Sequence, residues 1–246
     1  MAGIRAILFD LGETLVDFGP LDTRGLFARG ARLAYRYLQQ LGHELPPFRV
    51  YHRRQLRAVR WNYLKSRLTG REFNALDVLA ATVGRGGHRL TPEQTIELAW
   101  RFYEPLSRCG TIEQGLPELL EAFRAGGLAL AVVSNTFVPG EVLDRHLDGL
   151  GLLGYFPVRV YSCDVRYRKP HPRIFQIALE RLAVPAAEAM FVGDSLKADV
   201  AGALAVGMVA VLKDPTGARR HRRIRPTHRI ASLRELPALL QRYERR

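Results

Sequence analysis

Cysteine and lysine are scarce in this chain. Among 246 residues there are two cysteines, Cys109 and Cys163, too few for a disulfide framework, so a reducing cytoplasm is the expected setting. Lysine stands only at 65, 169, 197 and 213. No apolar run approaches the roughly 18 residues that would cross a bilayer, so no membrane partner is expected. Low-complexity tracts and fixed-period repeats are lacking, which sets aside fibrous and solenoid architectures. No apolar signal-type segment precedes Asp10.

What the chain has in excess is arginine. The formal net charge is +13, a value that invites comparison with nucleic-acid binders. Its distribution argues otherwise. Residues 17–109 and 213–246 each carry about +8 and the remainder is slightly acidic, the pattern of solvated basic faces. The densest stretch, "GARRHRRIRPTHR" at 217–229, has no interleaved aromatics for stacking on bases. It reads as a surface loop, and nucleic acid is not expected as a partner.

With 47% hydrophobic residues the chain can build a substantial core. "IRAILF" at 4–9 reads as a short strand buried on both faces. From about residue 22 the periodicity becomes helical. Leu26, Gly30, Leu33, Tyr37 and Leu41 recur every three or four positions, and Leu56, Val59, Tyr63 and Leu64 fall on one side of a second helix. "REFNALDVLAATVG" (71–84) and "TPEQTIELAWRFYEPL" (91–106) predict two more helices, the latter capped by Thr91 with Pro92 at its first position. After residue 110, apolar strands alternate with helices: "LALAVVS", "PVRVYS", "AMFVGD", "MVAVLK" and "THRIAS". Such alternation predicts a parallel sheet covered on both faces. The expected fold is α/β: a Rossmann-like three-layer core over residues 1–16 and 110–246, interrupted by an all-helical cap over 17–109. Hinges are expected near 16–20 and 106–115, where Gly19, Pro20, Pro105 and Gly110 lie.

In open parallel sheets, ligands bind outside the carboxyl ends of the strands. Four polar stretches end strands or follow them: "FDLGET", "VVSNT", "YRKPHP" and "FVGDSLKAD". Each alone has a plain structural explanation. A strand-end Asp10 can cap a turn, Asp194 and Asp199 can cap a helix and complement its dipole, Ser134 and Asn135 can close a turn, and Lys169 can be a solvated charge. In this order, however, the four resemble the motifs of the haloacid-dehalogenase-like hydrolase superfamily, in its branch with a helical cap after the first motif. The resemblance covers essentially the whole chain.

The resemblance implies a nucleophilic Asp10 that attacks phosphorus and forms an aspartyl phosphate, a step in which a carboxylate splits one hard displacement into two easier ones. It also implies that Ser134, with the backbone N–H of Asn135, holds the phosphoryl oxygens. Lys169 then offsets charge between nucleophile and phosphate. Asp10, the carbonyl of Gly12, Asp194 and Asp199 serve a metal. Three crowded carboxylates repel, and a hard divalent cation with oxygen ligands, Mg²⁺, relieves this. One departure stands out. Most phosphatases of the superfamily carry a second aspartate, the general acid and base, two places after the nucleophile; here that residue is Gly12. Glu13, Asp17 or a group from the cap are the available substitutes. Arg168 and His171 read as local surface residues.

The expected activity is Mg²⁺-dependent hydrolysis of a small phosphate monoester. The alternatives are an impaired homologue that binds a phosphorylated ligand, and a 2-haloacid dehalogenase. Retention of Asp194 and Asp199 argues against the latter.

Overall fold

The computed structural model describes residues 3–76, 78 and 89–244. Its centre is a six-stranded, all-parallel sheet: β1 (Ala6–Phe9), β2 (Ala129–Ser134), β3 (Val158–Tyr161), β4 (Ala189–Gly193), β5 (Val209–Lys213) and β6 (His228–Ile230), in the order β3-β2-β1-β4-β5-β6. β1 is central and pairs with β2 and β4 in parallel register, Phe9 lying opposite Val132 and Val192. The order reverses beside β1, so the crevice at its carboxyl end is the switch point of the sheet.

The apolar run of β1 serves two cores. Ile7 and Phe9 join one cluster, with Val132, Val192 and the helices α4 (Leu116–Ala125), α5 (Gly140–Gly149) and α9 (Leu236–Glu244). Ala6 and Leu8 face the other, with Val133, Phe191 and α7 (Pro172–Leu182). Strands buried on both faces have no polar alternation to show, which explains their continuous apolar character. The remaining core helices are the single turn α6 (Ser162–Val165) and α8 (Ala201–Ala205). Gly202 permits the approach of α8 to α7, since a Cβ there would lie 2.3 Å from the Phe175 ring.

Among the described residues between β1 and α4 are three long helices, α1 (Thr23–Gln40), α2 (Phe48–Thr69) and α3 (Pro92–Ser107). Thr91 and Gln94 form a reciprocal capping box at the start of α3, with Pro92 in its first turn, as the sequence predicts. Half of the helix expected over 71–84 lies outside the described residues; of the rest, Ala75, Leu76 and Val78 are helical and residues 71–74 are not. α1 crosses α3 at Gly30, where a Cβ would lie 2.1 Å from the carbonyl oxygen of Phe102. Its buried stripe is Leu26, Gly30, Ala31, Ala34 and Leu38; Leu26 and Gly30 lie on the expected face, and Ala31, Ala34 and Leu38 stand where Leu33, Tyr37 and Leu41 were expected. The close crossing selects small residues, and alanines carry a packing face that larger apolar residues suggested elsewhere.

α2 departs further from expectation. Its buried positions include Tyr51, Gln55 and Ser66, whereas Trp61, Leu64 and Leu68 are 68%, 52% and 79% exposed. The chain enters and leaves the helical insertion side by side. Asp17 N donates to Thr111 O and Thr111 N to Asp17 O, both at 2.8 Å. Among the described residues no helix is long and apolar enough to cross a membrane.

Candidate active site

Asp10 immediately follows β1, its backbone N–H continuing the sheet by donating to Val192 O at 2.9 Å. Ser134 ends β2 and Asp194 follows β4. Lys169 comes from the loop between α6 and α7, and Asp199 from a widened turn, Leu196–Val200, at the start of α8. In that turn Ser195 O accepts from both Asp199 N (2.9 Å) and Val200 N (3.1 Å), a π-type bulge where an ordinary helix was expected, and such bulges gather at functional sites. Ser195 N donates to Asp199 Oδ2 at 2.8 Å. Gly193 makes room for this arrangement, since a Cβ there would lie 2.5 Å from the Asp199 carboxyl carbon.

These residues converge. Lys169 Nζ lies 2.6 Å from Asp10 Oδ1 and 2.8 Å from Asp199 Oδ1, and donates to Val133 O at 2.8 Å. Carboxylate oxygens of Asp10, Asp194 and Asp199 all lie within 4.8 Å of one another. Ser134, Asn135, Gly12 and Lys169 line the same pocket, of about 420 Å³. The Asn135 side chain does work that its sequence position did not reveal. It clamps the Lys169 backbone from both sides, Nδ2 donating to Lys169 O at 2.9 Å and Oδ1 accepting from Lys169 N at 2.7 Å.

The electrostatics follow from burial. Removal from water pushes the Asp10 carboxyl up to about 7; Lys169 opposes this, while Asp199 and Asp194 add to it. Burial works against the charge of Lys169 too, but Asp10 and Asp199 outweigh it and hold the ammonium above its ordinary range. Lys169, with Arg219 on Asp194, thus offsets only part of the negative charge of three carboxylates. Asp199 Oδ1, although near Lys169 Nζ, is buried without a partner in hydrogen-bonding geometry. Oxygen-only donors, crowded and under-compensated, fit a hard divalent cation.

Three basic residues expected on the surface are engaged in ion pairs. Arg168 is not a local surface residue. Its guanidinium pairs with Glu72, whose side chain is fully buried, and lies over the Tyr63 ring at 5.7 Å. Ser162 Oγ also donates to Glu72, at 3.1 Å. Arg219 leaves the basic loop to pair with the carboxylate and carbonyl of Asp194, and Arg229 pairs with buried Asp214. Arg220, Arg222, Arg223 and Arg225 are exposed as expected. His171 caps α7, accepting from Arg173 N at 3.1 Å. Of the candidates to replace the missing acid, Glu13 lines the pocket. It stands in a left-handed conformation, φ 56°, and burial raises its carboxyl although Phe18 N donates to it. Asp17 is instead engaged at the insertion's base, its Oδ1 accepting from Gly19 N at 2.9 Å. Cys109 and Cys163 are both free thiols.

Known proteins share this architecture. A family model for haloacid dehalogenase-like hydrolases matches residues 4–207. The phosphoglycolate phosphatase of Yersinia pseudotuberculosis is 31% identical over 213 residues, covering 83% of this chain and 78% of that protein. The haloacid dehalogenase-like hydrolase domain-containing protein 3 of Danio rerio is 40% identical over 127 residues, and there the match spans only half of each chain. The crystal structure of a HAD phosphatase from Thermococcus onnurineus superposes with a TM-score of 0.62 at 28% identity, covering 96% of this chain and 98% of that one.

Proposed function

The chain belongs to the haloacid dehalogenase-like hydrolases and is a phosphohydrolase of that family, and from this premise we propose that it cleaves small phosphate monoesters with Asp10 as nucleophile and Mg²⁺ as cofactor. One observation carries the reading: three carboxylates from separate loops gather within 4.8 Å, with a buried lysine 2.6 Å from the first.

The chemistry divides as follows. An Asp10 oxygen attacks phosphorus as the P–O bond to the leaving group breaks, and the departing alkoxide takes a proton from water. Water then adds to the aspartyl phosphate, releasing inorganic phosphate and restoring Asp10. Lys169 compensates charge at the nucleophile, so the anionic form of Asp10 is the reactive one. Ser134 Oγ and the Asn135 N–H bind phosphoryl oxygens, while the Asn135 side chain keeps the Lys169 backbone in place. Asp10, the Gly12 carbonyl and Asp194 would hold Mg²⁺, with Asp199 binding it or its water. When bound, the cation neutralises the carboxylates and the phosphoryl group. The helical insertion, residues 17–109, acts as a cap that excludes water from the centre. Free thiols fit a cytoplasmic location.

Release of phosphate from an aryl phosphate, measured with Mg²⁺, with chelator, and in Asp10→Asn, tests this. Turnover lost in both controls is the expected result. Equal background in all three would mark a binder of phosphorylated ligands, and chelator-insensitive chloride release from a 2-haloacid would mark a dehalogenase.

A further inference from the structure

We propose that the leaving group of the substrate carries a large apolar body, aromatic or branched, seated in a slot between α1, α2 and the turn after β2. This rests on the phosphohydrolase reading and adds the substrate class to it.

The slot adjoins the reaction pocket. A cavity of about 550 Å³, walled by Phe27, Leu56, Val59, Tyr63 and Phe137, meets the Asp10 pocket at Tyr63 and Phe137. A narrower one, about 120 Å³, lies between α1 and α3 and meets the same pocket at Tyr103, Leu106, Phe137 and Val138. Phe137 therefore borders all three. It is well fixed: its ring stacks on Phe73 at 5.2 Å and 9°, and its carbonyl accepts from Ala75 N at 2.7 Å.

The composition of the walls selects the ligand. On the phosphate side the donors are Ser134, Asn135 and Lys169. Beyond Phe137, Phe27, Leu56, Val59 and Tyr63 supply the apolar wall; Thr23, His52 and the exposed Arg24 and Arg60 complete the lining. The Leu56–Val59–Tyr63 side of α2 is the apolar face of that helix, yet among the described residues it borders open space, while Gln55 and Ser66 are buried. Apolar surface turned onto a void gains nothing until something covers it. A volume of this size lies within the range of small-molecule sites. A two-carbon acid would leave it empty; a ring system would fill it.

The experiment uses full-length Asp10→Asn protein, so that binding is read without turnover. Calorimetry compares methyl phosphate, 1-naphthyl phosphate and a nucleoside 5′-monophosphate. Burying the ring should tighten 1-naphthyl phosphate about tenfold or more over methyl phosphate. Val59→Asp should bring the two affinities together, and Leu56→Gln supplies the same comparison should the first variant not fold. Equal affinities without the second substitution, no measurable binding of either ester, or a preference that survives both slot variants would overturn the assignment. So would tighter binding of the nucleotide, which would mean polar recognition. Failure of the unsubstituted protein to release phosphate would instead count against the reaction, leaving the affinity ratio to judge the slot.

Discussion

The sheet and the helical insertion solve opposite packing problems. In the sheet every residue of β1 is buried, alternate side chains feeding two separate cores. In the insertion, α1 and α3 pack through glycine and alanine, and α2 buries Gln55 and Ser66 while exposing Trp61, Leu64 and Leu68. The first region is built to hold atoms still at the strand ends. The second is shaped around space. A catalytic constellation needs the former; a chamber for a leaving group needs the latter.

The sharpest way to test the contrast is truncation in the sheet. Phe191, 1% exposed and edge-on to Phe175 at 5.0 Å, should cost about 4 kcal/mol when changed to alanine, measured by urea unfolding. A loss below about 1 kcal/mol would mean the core can collapse around the gap. Next comes the seam between the regions. Arg168→Met leaves the Glu72 carboxylate buried without its cationic partner, held only by Ser162 and Phe73 N–H, and should destabilise by about 3 kcal/mol near neutral pH. Burial already raises Glu72, with Arg168 opposing. A raised carboxyl favours the fold below its unfolded value and loses that benefit as pH rises through the folded value. The penalty in Arg168→Met should therefore shrink on acidification, and a penalty flat with pH would show that Glu72 finds another partner.

At the strand ends, Gly12→Asp restores the general acid that the superfamily pattern places there. The backbone of Gly12 is not left-handed, and a Cβ would meet only Phe18, at 3.8 Å. Turnover of an alkyl phosphate should rise about a hundredfold; an unchanged rate would mean that another group already supplies the proton. Arg219→Gln frees Asp194 and should lower the Mg²⁺ needed for half-maximal turnover by roughly threefold, since at the proposed metal site the guanidinium and the cation would compete for one carboxylate. A higher Mg²⁺ requirement would recast Arg219 as a support for the metal site. The smallest effect is expected on the insertion's outer face, where Leu68→Ala should change stability by no more than about 0.5 kcal/mol. A larger loss would show that Leu68 is covered in solution.

Legibility followed the same divide. The strands were readable because two-sided burial leaves unbroken apolar runs, and Asp10, Ser134, Lys169, Asp194 and Asp199, which the structure brings to one pocket, were picked out because they fall in four short motifs in a recognisable order. The face of α1 was read correctly at Leu26 and Gly30 and missed at Ala31 and Ala34, because the crossing at Gly30 rewards small side chains and alanine carries little hydrophobic signal. Ion pairs left no local trace at all: Arg168 meets Glu72 across 96 residues and Arg219 meets Asp194 across 25. Nothing in the composition of the basic loop separates Arg219 from its solvated neighbours. Asn135 was picked for its backbone N–H, and its side-chain clamp on Lys169 became visible only once two loops were seen together.

The doubled hydrogen bond between Asp17 and Thr111 has a consequence for how such an enzyme diversifies. Where a long excursion departs and returns at adjoining points of the backbone, its two ends are only about 5 Å apart. A short reverse turn could bridge them, or another helical module could be spliced in, with the sheet scarcely disturbed. Ligand choice and phosphoryl chemistry can then change independently, as exchangeable parts of one chain.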